Sequence, residues 1–178
     1  MPKSVEHPLH EEVGQIVKRA AALHPDCRVL DDSACGGNQR IPLFVTKQKS
    51  RKTAYCCVDS LILKGNQVRV ILEIEESGFI PTKICGKFLT SALSSYFIHE
   101  SENAQPIEMA PSVAFIQILA TTPLIPGSSK AEQWKNLEKS IQGILPIHRV
   151  GSYRLLWQES GRDLGSDLGE CIGQALSR

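Results

Sequence analysis

The tightest constraint in this chain is a pair of apolar runs divided by a short turn. Thr53 to Leu63 and Gln67 to Glu75 are rich in Val, Ile and Leu, and Gly65-Asn66 lies between them. Runs of this composition around such a tight turn predict a β-hairpin. In the second run Val68, Val70, Leu72 and Ile74 alternate with Arg69, Ile71, Glu73 and Glu75, so the two sets occupy opposite faces. The turn also sets the register. Asp59, in the middle of the first run, falls roughly opposite Glu73 across the hairpin.

Around the hairpin the pattern alternates between helical and extended periods. Leu9, Val13, Ile16, Val17, Ala20 and Leu23 recur at helical spacing, which predicts a helix from about Pro8 to His24, ended by Pro25-Asp26. A turn-rich stretch, 31–38, leads to a short strand at Ile41–Val45. After the hairpin, Ser77-Gly78 breaks the strand, and Pro81 suits the first turn of a helix running to about Ile98. Residues 100–111 read as a polar loop, and Val113 to Ala120 as a strand buried on both faces. A helix at about 130–145, a strand at 153–158 and a helix at 167–176 close the chain. The order predicts an α/β (α+β layered) fold with a mixed β-sheet flanked by helices. At 178 residues, with 42% hydrophobic and 22% charged, the chain is the size of one domain, 1–178, with a core of ordinary extent.

Charge and motif content narrow the function. Twenty Lys+Arg against 19 Asp+Glu give a net charge of +1, which excludes a polycation or an acidic tail protein and leaves room for a local basic patch. No apolar run approaches the roughly 18 residues of a membrane span, and the first residues have no apolar signal core. The six cysteines form no CxxC pair and read as core filler in a reduced, cytoplasmic protein. There is no phosphate-binding GxxxxGK[ST] loop and no nucleophile elbow. His7 and His10 with Cys27 and Cys35 lack zinc-ligand spacing.

What stands out is the acids. Glu73 and Glu75 share a face, and Asp59 sits in an apolar strand where aspartate is disfavoured. If partly buried and ionised, the three repel. A divalent cation such as Mg²⁺ would relieve this with oxygen ligands, as would shared protons or basic partners. The plain alternative is a solvent-facing strand surface. Lys83 and Lys87 are four apart and share one face of the next helix, extended by Thr90, Ser91 and Ser94. Glu12 borders the apolar stripe of the first helix and could reach a neighbouring sheet. Lys47, Lys49, Arg51 and Lys52 form a basic loop leading into the Asp59 strand, where they could grip a phosphate backbone, and Arg40 ends a turn-like segment that could approach a groove.

The sequence of helix, strand, Asp59 strand, Glu73-Ile74-Glu75 strand, helix and strand resembles the core of the PD-(D/E)XK nuclease superfamily, the restriction-endonuclease-like fold, over residues 8–120. Glu75 stands where that family usually has a lysine. Some members carry a glutamate there, and others have moved the lysine onto the following helix, where Lys83 and Lys87 lie. The resemblance implies a Mg²⁺- or Mn²⁺-dependent DNA endonuclease, of the type II restriction kind or a related DNA-processing enzyme. Asp59, Glu73 and the main-chain carbonyl of Ile74 would hold the metal, and Glu75 would add a ligand or orient water. Lys83 or Lys87 would offset charge on the phosphorus, and Glu12 would act through an outer water. DNA would be gripped by Arg40, Lys47, Lys49, Arg51, Lys52 and whichever lysine faces away from the site, Lys87 among them. A homodimer fits the same implication, since cutting both strands often uses two copies. Two alternatives stay open: a catalytically degenerate DNA- or protein-binding module, and a ligand-binding or scaffold domain with exposed acids.

Overall fold

The computed structural model describes residues 8–77 and 79–177, the side chain of Thr122 excepted. His7 and Gly78 lie outside the described residues. Four helices and eight strands follow in the order α1 (Pro8–Ala21), β1 (Cys27–Asp31), β2 (Ile41–Phe44), β3 (Ala54–Val58), β4 (Ser60–Lys64), β5 (Gln67–Glu75), α2 (Pro81–Ala92), β6 (Tyr96–Phe97), β7 (Ile107–Leu124), α3 (Ser129–Gln142), β8 (Val150–Glu159) and α4 (Leu164–Leu176). The fold is mixed α/β. All strands join one sheet in the order β1-β4-β5-β7-β6-β2-β3, with β8 also paired to β7. The β4–β5 hairpin is antiparallel and closes through Gly65-Asn66, with Lys64 paired to Gln67. β7 is parallel to both β5 and β8.

Helices cover both faces. Val13, Ile16 and Val17 of α1 and Leu168, Ile172 and Leu176 of α4 pack against Ile62, Val70, Leu72, Ile74, Ile116 and Ile118. On the other face, Ile84, Phe88 and Ala92 of α2 and Trp134 and Ile141 of α3 pack against Leu61, Ile71, Phe115, Tyr153, Leu155 and Trp157. Gly14 lets α1 lie directly on the 32–37 turn, since a Cβ there would overlap the Cys35 carbonyl oxygen.

Several elements differ from the sequence reading, each for a local reason. The expected strand over residues 53–63 is two strands that part at Asp59: β3 pairs with β2, whereas β4 pairs with β1 and β5. β1 occupies a stretch that carries no strand in the sequence reading, because its pattern is short and mostly half-buried. A register shift at Val68/Val70 breaks the expected alternation on β5. Val68 joins Ile71 on the α2 face, and Arg69 turns to the other face to donate to the Ala175 carbonyl at 3.1 Å. Helix α2 stops at Ala92 rather than Ile98, because Tyr96 and Phe97 pair with β2 and β7 as β6. Helix α1 stops at Ala21, and Leu23 is 80% exposed instead of buried. The strand expected at 113–120 extends over the latter part of the expected loop, Ile107–Leu124. Only Cys35 is buried among the six free cysteines; Cys57 is exposed on β3, the last strand of the sheet order.

Candidate active site

The acids gather where the sheet opens. As far as Leu72, β5 is flanked by β4 on one side and β7 on the other. Beyond it, Glu73, Ile74 and Glu75 stay paired with Gln117, Ile118 and Leu119 of β7, but the β4 ladder has ended because the chain turns away at Asp59. The backbone of Asp59 still holds both neighbours: its N–H donates to the Leu72 carbonyl at 3.3 Å, and its carbonyl accepts the Asp32 N–H at 2.9 Å. Its side chain then replaces the missing strand, with Oδ2 accepting the Ile74 N–H at 2.6 Å. Asp59 therefore faces the end of β5 roughly opposite Glu73, one residue beyond where an unbroken ladder from the turn would put it, because the Val68/Val70 bulge shifts the register. The N–H and C=O of one strand residue point to the same side, so the Ile74 carbonyl opens toward Asp59 as well.

Glu73 and Glu75 project onto the α2 face and are 1% and 3% exposed, which overturns the solvent-facing alternative. Helix α2 brings both lysines to them. The Lys87 ammonium donates to Glu73 Oε2 at 2.8 Å and stands 3.0 Å from Glu75 Oε1. Lys83 lies 2.7 Å from Glu75 Oε2 and donates to the Ser77 carbonyl at 2.8 Å. One helical turn separates the two ammonium groups, so both face the acids; neither is the outward, DNA-facing lysine expected of the pair.

Three carboxyl groups against two ammonium groups leave the cluster one negative charge in excess if all ionise. Burial, and then the nearby Asp59 carboxylate, push the Glu73 carboxyl up to about 8. Burial also raises Asp59, although the Ile74 N–H, Lys87 and His10 pull it back. The two acids interact side chain to side chain, which pushes Glu73 further up and pulls Asp59 back. Burial works against the Lys87 ammonium, but Glu73 and Glu75 outweigh it and keep it charged above the ordinary lysine range. Two buried oxygens of the cluster lack a hydrogen bond among the described residues: Glu75 Oε1, which the Lys87 ammonium still faces at 3.0 Å, and Glu73 Oε1.

Helix α1 contributes a residue to this end of β5, but not Glu12. Glu12 is exposed, in a depression with Ile16, Arg19, Asp163 and Gly165 beside the start of α4. It stands two residues, about 200° of helix, from both His10 and Gly14, which face inward. The inward residue is His10, 8% exposed. Its Nδ1 lies 3.0 Å from Glu76 Oε1 and its Nε2 lies 3.9 Å from Asp59 Oδ2. Glu76 Oε1 also accepts the Leu9 N–H at 3.1 Å, so this acid ties the start of α1 to the end of β5. Sequence reasoning considered His10 only for zinc, although its spacing of three to Val13 places it on the buried face of α1.

The predicted DNA contacts lie elsewhere. Lys47, Lys49, Arg51 and Lys52 are exposed on the loop before β3, with the Lys47 ammonium 5.9 Å from the Tyr96 ring centroid and Lys49 2.5 Å from Glu100. Arg40 is exposed at the start of β2, with Nη2 3.5 Å from Cys57 Sγ. A groove of 460 Å³ between α3, α4 and β8, lined by Gln142, Tyr153, Arg154, Cys171 and Gln174, contains none of the carboxylates.

Among the described residues, no three His, Cys, Asp or Glu side chains are grouped to hold a metal ion as they stand. The donors nonetheless fit a hard cation. Asp59, Glu73 and the Ile74 carbonyl supply oxygen alone, which suits Mg²⁺ or Mn²⁺, and Glu73 Oε1 is an unused buried acceptor. No family model, curated protein or solved structure matches the chain. No helix among the described residues is long and apolar enough to cross a membrane.

Proposed function

We propose that the chain is a divalent-metal-dependent nuclease that hydrolyses DNA phosphodiesters, with the site arrangement of the PD-(D/E)XK superfamily. The observation that carries this reading is the convergence of Asp59, Glu73 and Glu75 at the unpaired end of β5, with Lys87 set between the two glutamates. Buried acids gathered against a sheet opening cost stability, and such perturbed groups cluster at functional sites. Asp59, Glu73 and the Ile74 carbonyl would hold Mg²⁺ or Mn²⁺, which when bound supplies Lewis acidity and a more acidic water.

The chain's own residues then have distinct tasks. Asp59 stays anchored by the Ile74 N–H, so its second oxygen is the one free to face a ligand. Lys87 keeps Glu73 and Glu75 in register and places a positive charge where charge develops on the phosphorus. Lys83 balances Glu75. Lys47, Lys49, Arg51 and Lys52 would track the DNA backbone. They lie one strand length from Asp59, roughly 17 Å, or about five phosphate steps along one DNA strand. Two copies acting together would cut both strands, and six free cysteines suit a reducing compartment such as the cytoplasm.

A second reading has its own support. Lys87 and Lys83 together already balance Glu73 and Glu75 at contact distance, so these two acids are paired without a metal, as a degenerate DNA-binding member of the fold would require. Plasmid DNA incubated with the protein separates the two. The nuclease nicks or linearises it with Mg²⁺ or Mn²⁺, stops on chelation and is inactive as Asp59→Ala. The degenerate protein retards DNA in a gel and leaves it intact under every condition.

A further inference from the structure

The strand beside the acids carries a polar residue that the proposed chemistry does not use. Gln117 is the only polar side chain between Val113 and Leu119 of β7 and is fully buried. The parallel ladder pairs it with Glu73. Register partners on adjacent strands leave the same face of the sheet, with their backbones about 4.8 Å apart. Gln117 Oε1 accepts the Tyr153 hydroxyl at 3.0 Å. Tyr153 is itself fixed, edge-on to Phe88 at 5.0 Å and stacked on Phe115 at 5.9 Å between ring centroids. With its oxygen on the tyrosine hydroxyl, the amide turns its NH₂ the other way.

Two buried atoms on these register partners are then left over. Gln117 Nε2 is a donor with no acceptor, and Glu73 Oε1 an acceptor with no donor, among the described residues. They do not bond directly, and a single water is a common bridge between polar groups held just beyond contact. We propose that Gln117 is a positioning residue for Glu73: its amide N–H, oriented by Tyr153, holds the inner Glu73 oxygen across one buried water. Lys87 holds the other oxygen at 2.8 Å, so the two contacts fix the plane of the carboxylate. The consequence for metal rests on the nuclease reading given above; the contact between Gln117 and Glu73 does not.

A double-mutant cycle in the full chain tests the contact without metal. Gln117→Leu, Glu73→Ala and the double variant are unfolded by urea in the presence of chelator. The contact predicts that the unfolding constant of the double variant departs from the product of the single effects by about fivefold or more. Agreement within about twofold overturns it. Calorimetry with Mn²⁺ tests the consequence: Gln117→Leu should weaken binding about tenfold, the usual effect of removing an outer partner of a ligand. Tyr153→Phe, which removes only a hydroxyl, should weaken it in the same direction and serves if Gln117→Leu does not fold. Unchanged Mn²⁺ affinity in both folded variants overturns the positioning role. If the wild-type protein binds no Mn²⁺, the nuclease reading falls and the urea cycle alone decides whether Gln117 holds Glu73.

Discussion

Gln67–Leu72 and Glu73–Glu75 belong to one strand and are about equally buried at its centre, yet they do opposite things. Val70, Ile71 and Leu72 are fully buried, have strands on both sides and bear apolar chains on both faces of the sheet. Glu73 and Glu75 are as deeply buried, but the chain has left their open side at Asp59, and a carboxylate takes the place of the missing strand. The first half turns burial into stability. The second keeps buried charge in place with lysines from a neighbouring helix, at a point where the sheet opens. Unpaired sheet ends are ordinarily a liability; here the opening is what lets main-chain and side-chain oxygens face the same space.

The largest test of this contrast exchanges the two halves. Glu73→Ala or Asp59→Ala should lower metal-dependent DNA cleavage by at least about a thousandfold, measured as initial nicking rate, while the circular dichroism spectrum is kept. Leu72→Ala should do the reverse: unfolding free energy falls by about 2–5 kcal/mol, and cleavage per folded molecule is unchanged. Similar losses of stability from all three variants would remove the distinction between the halves.

The lysines come next. Lys87 touches two acids and Lys83 one. Lys87→Met should cost about a hundred- to a thousandfold in cleavage rate, and Lys83→Met about tenfold. Without metal, Lys87→Met should also destabilise the fold by about 3 kcal/mol in urea titrations, because Glu73 and Glu75 lose their shared partner.

A smaller effect follows from Glu73. Its carboxyl titrates near 8 in the folded chain against 4.5 ordinarily, so the folded state binds the proton more tightly. Its contribution to stability is therefore greatest below about pH 4.5 and is lost as pH rises to about 8, at no more than roughly 1.4 kcal/mol per pH unit. Denaturation midpoints measured across this range should fall with pH in wild type more steeply than in Glu73→Gln. The smallest expected effect is that of Glu12→Ala, within about 0.5 kcal/mol in stability and with no change in cleavage, since its side chain is exposed beside α4.

The hairpin, its turn and the rough opposition of Asp59 to Glu73 were legible in the sequence because a two-residue turn fixes the register to within the one-residue shift that the bulge adds. So were the lysines, whose i, i+4 spacing puts both on one helical face. What could not be read is where pairing partners change. Cys56-Cys57-Val58-Asp59-Ser60 looks like continuous strand, and only the tertiary arrangement sends β3 to β2 and β4 to β5. The bulge at Val68/Val70 likewise leaves no mark in a run of alternating residues. Glu12 borders the apolar stripe of α1 in the sequence, between Leu9 and Ile16, but the helix lies on the Cys35 turn through Gly14, which brings His10 inward and leaves Glu12 exposed. Gln117 lies inside a run that reads only as a strand buried on both faces, and its meaning depends on a parallel register that no local pattern encodes.

The central claim is that the open end of β5 is a divalent-metal site, and locating the ion tests it most directly. Crystals of the protein soaked in Mn²⁺ and measured for anomalous scattering should show a peak bonded to carboxylate oxygens of both Asp59 and Glu73, at roughly 2.1–2.2 Å. The peak should vanish in Glu73→Ala. No peak there at saturating Mn²⁺, with Lys87 still seated between Glu73 and Glu75, would contradict the account.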